Sequence, residues 1–142
     1  MSRDDFDLRQ LDAFSGRLME LAQRRMPKET RKFIMKSGNK LRKLTAAKAR
    51  QLTKKKTGNY RKGIKRGKVY KYRNEETAIR VYDASPHAHL LEYGHRQVTK
   101  SGREVSFVRG YRVFEQARRA FEQEFIEDCE AFIDEMIEEG LR

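Results

Sequence analysis

Three histidines and one glutamate lie together in the segment SPHAHLLEYGHR, residues 85–96, where they form an H-x-H-x2-E-x2-H series. A zinc site requires three or four such side chains to converge on one point. On a short helix, His89 and Glu92 share a face because they are three residues apart, whereas His87 and His89 diverge. His95 follows the glycine that ends the helix. The spacing matches no zinc motif, so no metal site is expected, and a metal-dependent enzyme built on these histidines is the least favoured alternative. No bound cofactor is expected either, because the sequence contains no P-loop and no dinucleotide-binding fingerprint.

The same segment has the pattern of a short packed helix. Pro86 in the first turn and Gly94 just past the last residue are the expected asymmetry of a helix over residues 86–93. In this interpretation, His89 and Glu92 make polar contacts with neighbouring backbone. The apolar side chains that anchor the helix are Leu90, Leu91 and Tyr93.

Catalysis is not expected from the remaining nucleophiles. Ser85 lies near the histidines, but the sequence has no G-x-S-x-G motif and no glycine-rich loop that would form an oxyanion hole. Cys129, the single cysteine, falls in the apolar stripe of the last predicted helix, where it fits a small core residue. One cysteine also excludes a disulfide framework and favours a reduced intracellular setting.

Charge is strongly segregated along the chain. Residues 1–27 are neutral, and residues 28–73 carry nineteen basic side chains against the single acidic residue Glu29. Residues 74–112 have a net charge of +1, and residues 113–142 carry three basic and ten acidic side chains. A basic middle and an acidic C-terminal end are complementary surfaces for a protein that stacks against copies of itself.

The basic segment leaves three alternatives open. It could bind nucleic acid, because its lysines and arginines are interleaved with tyrosines that could stack on bases. It could instead be a solvated face, or the lining of a channel that carries DNA or meets an acidic neighbour. The candidate residues for DNA or interface contact are Lys54, Lys55, Lys56, Arg61, Lys62, Lys65, Arg66 and Lys68.

The sequence predicts one α+β domain over residues 1–142, with a small antiparallel sheet packed against long terminal helices. Helices are expected at 4–25 and 28–52, interrupted at Pro27, and at 113–139, where an apolar stripe recurs at helical spacing.

Hairpins are expected on both sides of the short helix. The first pairs 69–73 with 77–83; the second spans 97–108, with Ser101 and Gly102 at its tip and Val98, Val105 and Phe107 facing inward. The N-terminal helical region is assigned to 1–56 and the hairpin region to 57–112. No apolar run is long enough to span a membrane.

Two segments carry a resemblance to a known family. The run Ala88, His89, Leu90, Leu91, Glu92, Tyr93, Gly94 and the later VRGYRVFEQARRAFEQEF resemble the tail-completion or head–tail joining (connector, neck) proteins of long-tailed bacteriophages, typified by gene product ten of a lambdoid phage. Such proteins have a small-residue, His/Tyr and hydrophobic run that ends in Glu–aromatic–Gly. A long C-terminal helix follows, introduced here by the turn Gly110–Phe114.

The resemblance implies a non-enzymatic virion protein that forms a ring, commonly a hexamer. Its implied partners are copies of itself, a head-side connector or stopper protein and the tail tube protein, with genomic DNA passing through the ring. It implies no cofactor and no membrane, and a location in the virion, at the head–tail junction or in the tail, after assembly in the host cytoplasm. The Ala88–Gly94 motif would fix the sheet against the last helix. The alternative remains a nucleic-acid-binding protein that uses residues 28–73.

Overall fold

The computed structural model describes residues 8–54 and 58–141 and confirms the predicted α+β class. Lys55 and Lys56 lie outside these residues, as do the first four residues of the helix predicted at 4–25. The helices are α1 (Leu8–Glu20), α2 (Met26–Leu52), α3 (Asn59–Lys62), α4 (Ala88–Tyr93) and α5 (Val113–Gly140). The strands are β1 (Ile64–Arg66), β2 (Tyr70–Tyr72), β3 (Glu76–Ala78), β4 (Val81–Asp83), β5 (Gly94–Val98) and β6 (Glu104–Arg109). No helix among the described residues is long and apolar enough to cross a bilayer.

Helices α1 and α2 form one continuous helical run, so the predicted interruption at Pro27 is wrong. A proline ring inside an α-helix collides with the carbonyl group four residues earlier, and the proline has no N–H to donate. In this chain that carbonyl group belongs to a π-helical segment, Leu21–Arg25, in which Met26 N–H donates to Leu21 O five residues earlier. The wider π turn accommodates the ring, and the helix continues through it.

Helices α2 and α5 pack antiparallel and form the main body of the molecule. The Phe33 ring of α2 stacks on Phe132 of α5 with ring centroids 4.6 Å apart, and it lies 6.2 Å from the ring of Phe125. Leu21 is buried at the far end of the pair, beside Gly140. The predicted stripe of α5 is therefore divided: one side packs on α2, and a second side, which carries Ile126, Ile133 and Ile137, remains exposed.

Part of the charge complementarity predicted between copies is used inside one chain. Lys40 of the basic helix α2 lies 2.7 Å from Asp128 and 3.5 Å from Glu124 of the acidic helix α5. The hydrogen bond to Asp128 raises the pKa of Lys40 despite an opposing desolvation effect. Arg25 lies 3.5 Å from Glu139 near the other end of the pair. These partly exposed pairs lie along the contact between the two helices, and each contributes little to stability.

The hydrophobic core is small and lies where α2, β1 and the start of α5 meet. Its buried centre comprises Ala49, Ile64 and Val113. Partly buried side chains surround this centre, namely Leu52, Tyr60, Val81 and Phe114. A core of this size is thin for 142 residues.

The first hairpin is longer and less regular than the sequence predicted. Its tip pairs β2 with β3, and its base pairs β4 with β1, a strand that the sequence analysis missed. Between the two ladders, residues 67–69 face the two residues 79–80, and Gly67 N–H donates to Arg80 O at 2.7 Å. This extra residue is a β-bulge, and it divides the predicted strand 77–83 into two. The hairpin packs on α2, where Ile79 lies against Gly38.

The second hairpin, β5–β6, extends beyond its predicted limits of 97–108 and has Gly102 at its tip with φ of +86°. Its three apolar side chains do not face inward, so that prediction is wrong. Val98, Val105 and Phe107 are 57%, 56% and 58% exposed. Among the described elements, the main neighbour of this hairpin is α4, and neither α2 nor α5 packs extensively on it.

Candidate functional site

Helix α4 carries the Ala88–Gly94 motif, and it begins two residues later than the sequence predicted. Pro86 lies in the turn before it, and Gly94 ends it with φ of +86°. Leu90 and Leu91 are half-buried, as expected for anchors. Tyr93 is 61% exposed and is therefore not an anchor; its ring lies 5.3 Å beneath the guanidinium group of Arg112. The packed centre of the motif is instead its glutamate.

Glu92 is 7% exposed, and its carboxylate caps the N-terminus of α5. Phe114 N–H donates to its Oε1 at 2.7 Å and Glu115 N–H donates to the same oxygen at 3.2 Å. Arg112, in the N-cap position, makes no side-chain cap of its own. Glu92 therefore supplies from a different helix the acceptor that a Ser, Thr or Asp usually provides at this position, and its negative charge lies at the positive end of the helix dipole.

Backbone contacts reinforce this junction on both sides of the motif. Tyr111 N–H donates to Leu91 O at 2.7 Å, and Arg112 N–H donates to Glu92 O at 3.2 Å. A Cβ atom on Gly110 would lie 2.6 Å from Gly94 N, too close for any side chain. The two glycines let the two chain segments approach closely enough for these bonds to form. Within this junction, α4 holds both the hairpin β5–β6 and the start of α5.

Four residues near α4 in the chain or on α3 have a buried polar atom that lacks a hydrogen-bond partner within the described part of the chain. These atoms are Tyr60 Oη, Asp83 Oδ2, Ser85 Oγ and His95 Nδ1. Burial, together with the charges of Glu92 and Asp83, raises the pKa of Tyr60 well above its usual range. Tyr60 therefore stays neutral at physiological pH and packs against the core.

The structure does not gather the histidines into a ligand set. His87 and His89 are exposed, His95 is half-buried on β5, and the Glu92 carboxylate is directed at α5. Within residues 8–54 and 58–141, no group of three or more His, Cys, Asp and Glu side chains could hold a metal ion. Cys129 is half-buried on α5, where burial raises the pKa of its thiol and the neighbouring Asp128 carboxylate acts in the same direction.

The Ala88–Gly94 motif lies within a longer segment that matches a known protein family. Residues 5–94, more than half of the chain, match the family described as "Bacteriophage HK97-gp10, putative tail-component". The chain belongs to the HK97 gp10-like family. The match ends at Gly94, so it includes the Ala88–Gly94 motif, whereas the Gly110–Phe114 turn lies outside it. No curated protein and no solved structure matches the chain significantly. The predicted family is thereby confirmed, and with it a structural role in the phage tail.

In this HK97 gp10-like chain, the candidate basic residues do not form one uniform surface. Arg61 is half-buried, and its guanidinium group donates to Thr53 O, which ties α3 to the end of α2. Arg66 is half-buried with its stem against Gly38. The exposed members of the set are Lys54, Lys62, Lys65 and Lys68.

The sequence analysis did not anticipate how much apolar surface the HK97 gp10-like chain leaves uncovered. All described side chains of α1 are exposed, and they include Leu11, Phe14 and Leu18 on one face. The β5–β6 face and the second side of α5 are two further exposed apolar surfaces. The sequence contained one signal of this exposure. The apolar side chains recur at regular spacing on more elements than the other predicted elements could cover.

Proposed function

We propose that the chain is a tail-completion subunit, without enzymatic activity, that forms a closed ring between the head-side connector and the tail tube. The ring is hexameric, and the phage genome passes through its centre. Membership in a family of phage tail components supports a place in the virion. The proposal also requires a surface through which copies of the chain bind each other, and two partners along the axis of the ring. These partners are the connector or stopper protein on one side and the tail tube protein on the other.

The observation that carries this proposal is the exposed apolar face of β5–β6. Soluble monomers rarely expose contiguous apolar patches of more than a few hundred Å², and such patches mark sites of interaction. Val98, Val105 and Phe107 are more than half exposed on a hairpin that the rest of the described chain does not cover. Contact with a neighbouring copy would bury this face and enlarge the thin core. A subunit with different patches on its two sides can close into a ring.

Assembly of the purified full-length chain tests the proposal. We expect sedimentation analysis, alone and with the tail tube protein of the same phage, to show a species of several copies. Phe107→Ser should weaken its formation by about tenfold or more, because an apolar side chain at the centre of an interface contributes most of the binding energy. Tyr72→Ser, at an exposed aromatic of the other hairpin, is the matched control and should assemble normally.

A phage that lacks this chain provides the test in the virion. The proposal expects filled heads and separate, finished-length tails that fail to join. Phage particles that join normally would overturn it, and so would a protein that remains monomeric under every condition above.

Nucleic-acid binding is the second candidate, and the first hairpin favours it. Tyr70 and Tyr72 are exposed on β2 on either side of the exposed Lys71, and the exposed Arg73 follows the strand. Arg73 lies 5.1 Å over the Tyr72 ring, so cation and aromatic groups are already arranged side by side. Such a surface could bind phosphates and stack on bases.

If this candidate is correct, the chain should bind duplex DNA at low salt, with an affinity that falls steeply as salt rises. Tyr72→Ser should weaken binding, and Phe107→Ser should leave it unchanged, the reverse of their effects on assembly. An absence of binding at low salt would remove this candidate.

A further inference from the structure

We propose that the β5–β6 hairpin of one copy packs across the exposed isoleucine stripe of α5 in the next copy. The inference rests on the proposed self-assembly and names the two surfaces that meet. It is head-to-tail, because the hairpin and the stripe are different patches of the same chain.

The hairpin presents an apolar and basic face. In the β5–β6 ladder Arg96 lies opposite Phe107, and Gly94 lies opposite Arg109. Residues directly opposite each other in a ladder point to the same side, and so do residues two apart along a strand. A register shift between Gln97 and Val98 makes Val105 the extra residue of a bulge. The face therefore combines three exposed apolar side chains with Arg96, Arg109 and Glu104, which lies opposite Val98 and 3.9 Å from Arg96. Arg109 is left as the excess positive charge of this face, and residues 94–109 as a whole carry four basic side chains against one acidic.

The stripe on α5 is apolar and acidic. Ile126, Ile133 and Ile137 are 44%, 47% and 49% exposed, and their spacings of seven and four residues place them on one face of the helix. Glu130 lies on the same face, between the first two isoleucines. Helix α5 as a whole carries ten acidic side chains against two basic.

Charge and length both favour this pairing. The basic face of the hairpin would meet an acidic helix, whereas two hairpins or two α5 stripes facing each other would bring like charges together. A six-residue strand spans about 20 Å, and eleven residues of helix from Ile126 to Ile137 span about 16 Å, so the two apolar surfaces are of similar length. The exposed face of α1 is a weaker match, because α1 carries two basic and two acidic side chains and offers the hairpin no net attraction.

The pairing cannot form within one copy in this arrangement. The base of the hairpin is held at the start of α5 by the Glu92 junction. Ile126 lies thirteen residues further along the helix, at a distance of about 20 Å. Both surfaces remain exposed in the same chain. A second copy is thus the occupant that fits each of them.

Disulfide cross-linking tests this interface directly. Two single-cysteine proteins, Phe107→Cys and Ile133→Cys, are prepared in a Cys129→Ala background. They are mixed with each other, in the absence and in the presence of the tail tube protein, and then oxidised. We expect a linked dimer from the mixture and little from either protein alone. Lys71→Cys mixed with Ile133→Cys is the control and should give no linked dimer, because Lys71 lies on the other hairpin. Arg109→Glu should lower the yield, and Glu130→Lys in the other protein should restore it.

Each alternative outcome identifies what has failed. A linked dimer from Phe107→Cys alone would show that two hairpins meet each other and would overturn the inference. Sedimentation that shows assembly without a 107–133 link would also overturn it, while the proposed ring would stand. Unsubstituted protein that is monomeric, both alone and with the tail tube protein, would overturn both the interface and the proposed function.

Discussion

Replacing Glu92 with alanine is expected to lower the free energy of unfolding by about 3 kcal/mol, because two backbone N–H groups at the start of α5 lose a charged acceptor. Phe114 N–H and Glu115 N–H both donate to this carboxylate, which is almost fully buried. No capping side chain at Arg112 takes over its role. Urea unfolding of the purified chain, followed by circular dichroism, measures the loss.

Two further variants separate capping from a general effect of removing charge. Glu92→Gln keeps one acceptor oxygen and should cost about 1 kcal/mol, since the charge at the helix terminus is lost but a hydrogen bond remains. Glu122→Ala, on the exposed surface of the same helix, should change stability by less than about 0.5 kcal/mol. Equal losses for Glu92→Ala and Glu122→Ala would contradict the capping role.

The capping role of Glu92 was only partly predictable. The sequence analysis expected Glu92 to bond neighbouring backbone, but it did not name the partner, which lies twenty-two residues away. A signal was available at the other end of this contact. The residue before α5 is Arg112, which is not a capping type, so the strongest helix of the chain lacked a local N-cap. A missing local cap indicates that an acceptor comes from elsewhere in the fold.

The prediction was accurate where apolar residues recur along the chain at a regular helical spacing. Helix α5 was expected at 113–139 and runs over Val113–Gly140, because its apolar spacing continues without interruption. Pro27 was misjudged since the π turn that accommodates it leaves no clear mark in the sequence. Strand β1 was missed because its three residues, Ile64–Arg66, are mostly basic, and pairing with β4 rather than propensity makes it a strand.

The exposure of the apolar face of the second hairpin could not be predicted from the sequence of one chain. The apolar residues Val98, Val105 and Phe107 were assigned to an interior because apolar side chains usually face a core. An alternating pattern identifies which residues share a face, but it does not say whether the covering layer belongs to the same chain. The same ambiguity applies to Ile126 and Ile133 on α5. Sequence patterns showed which residues share each face, but not that the described chain leaves both faces exposed.

Replacing Gly110 with alanine should be at least as damaging as removing the Glu92 carboxylate, with a loss of about 3 kcal/mol or more. A Cβ at this position would collide with the Glu92 backbone and would lie 2.6 Å from Gly94 N. Backbone atoms cannot rotate away as the end of a flexible side chain can. The two segments would have to separate, and the bond from Arg112 N–H to Glu92 O would be lost with them.

Gly16→Ala is the matched control, because a Cβ at Gly16 meets nothing within 4 Å and the residue lies inside α1. Alanine there should raise stability by up to about 1 kcal/mol through its higher helix propensity. Denaturant unfolding of both variants gives the comparison. In Gly110→Ala, the amides of Phe114 and Glu115 should also lose protection from hydrogen exchange, because the cap on α5 opens when the two segments move apart. Unchanged protection at these amides, together with wild-type stability, would show that the junction tolerates a side chain and that its close approach does not hold α5 in place.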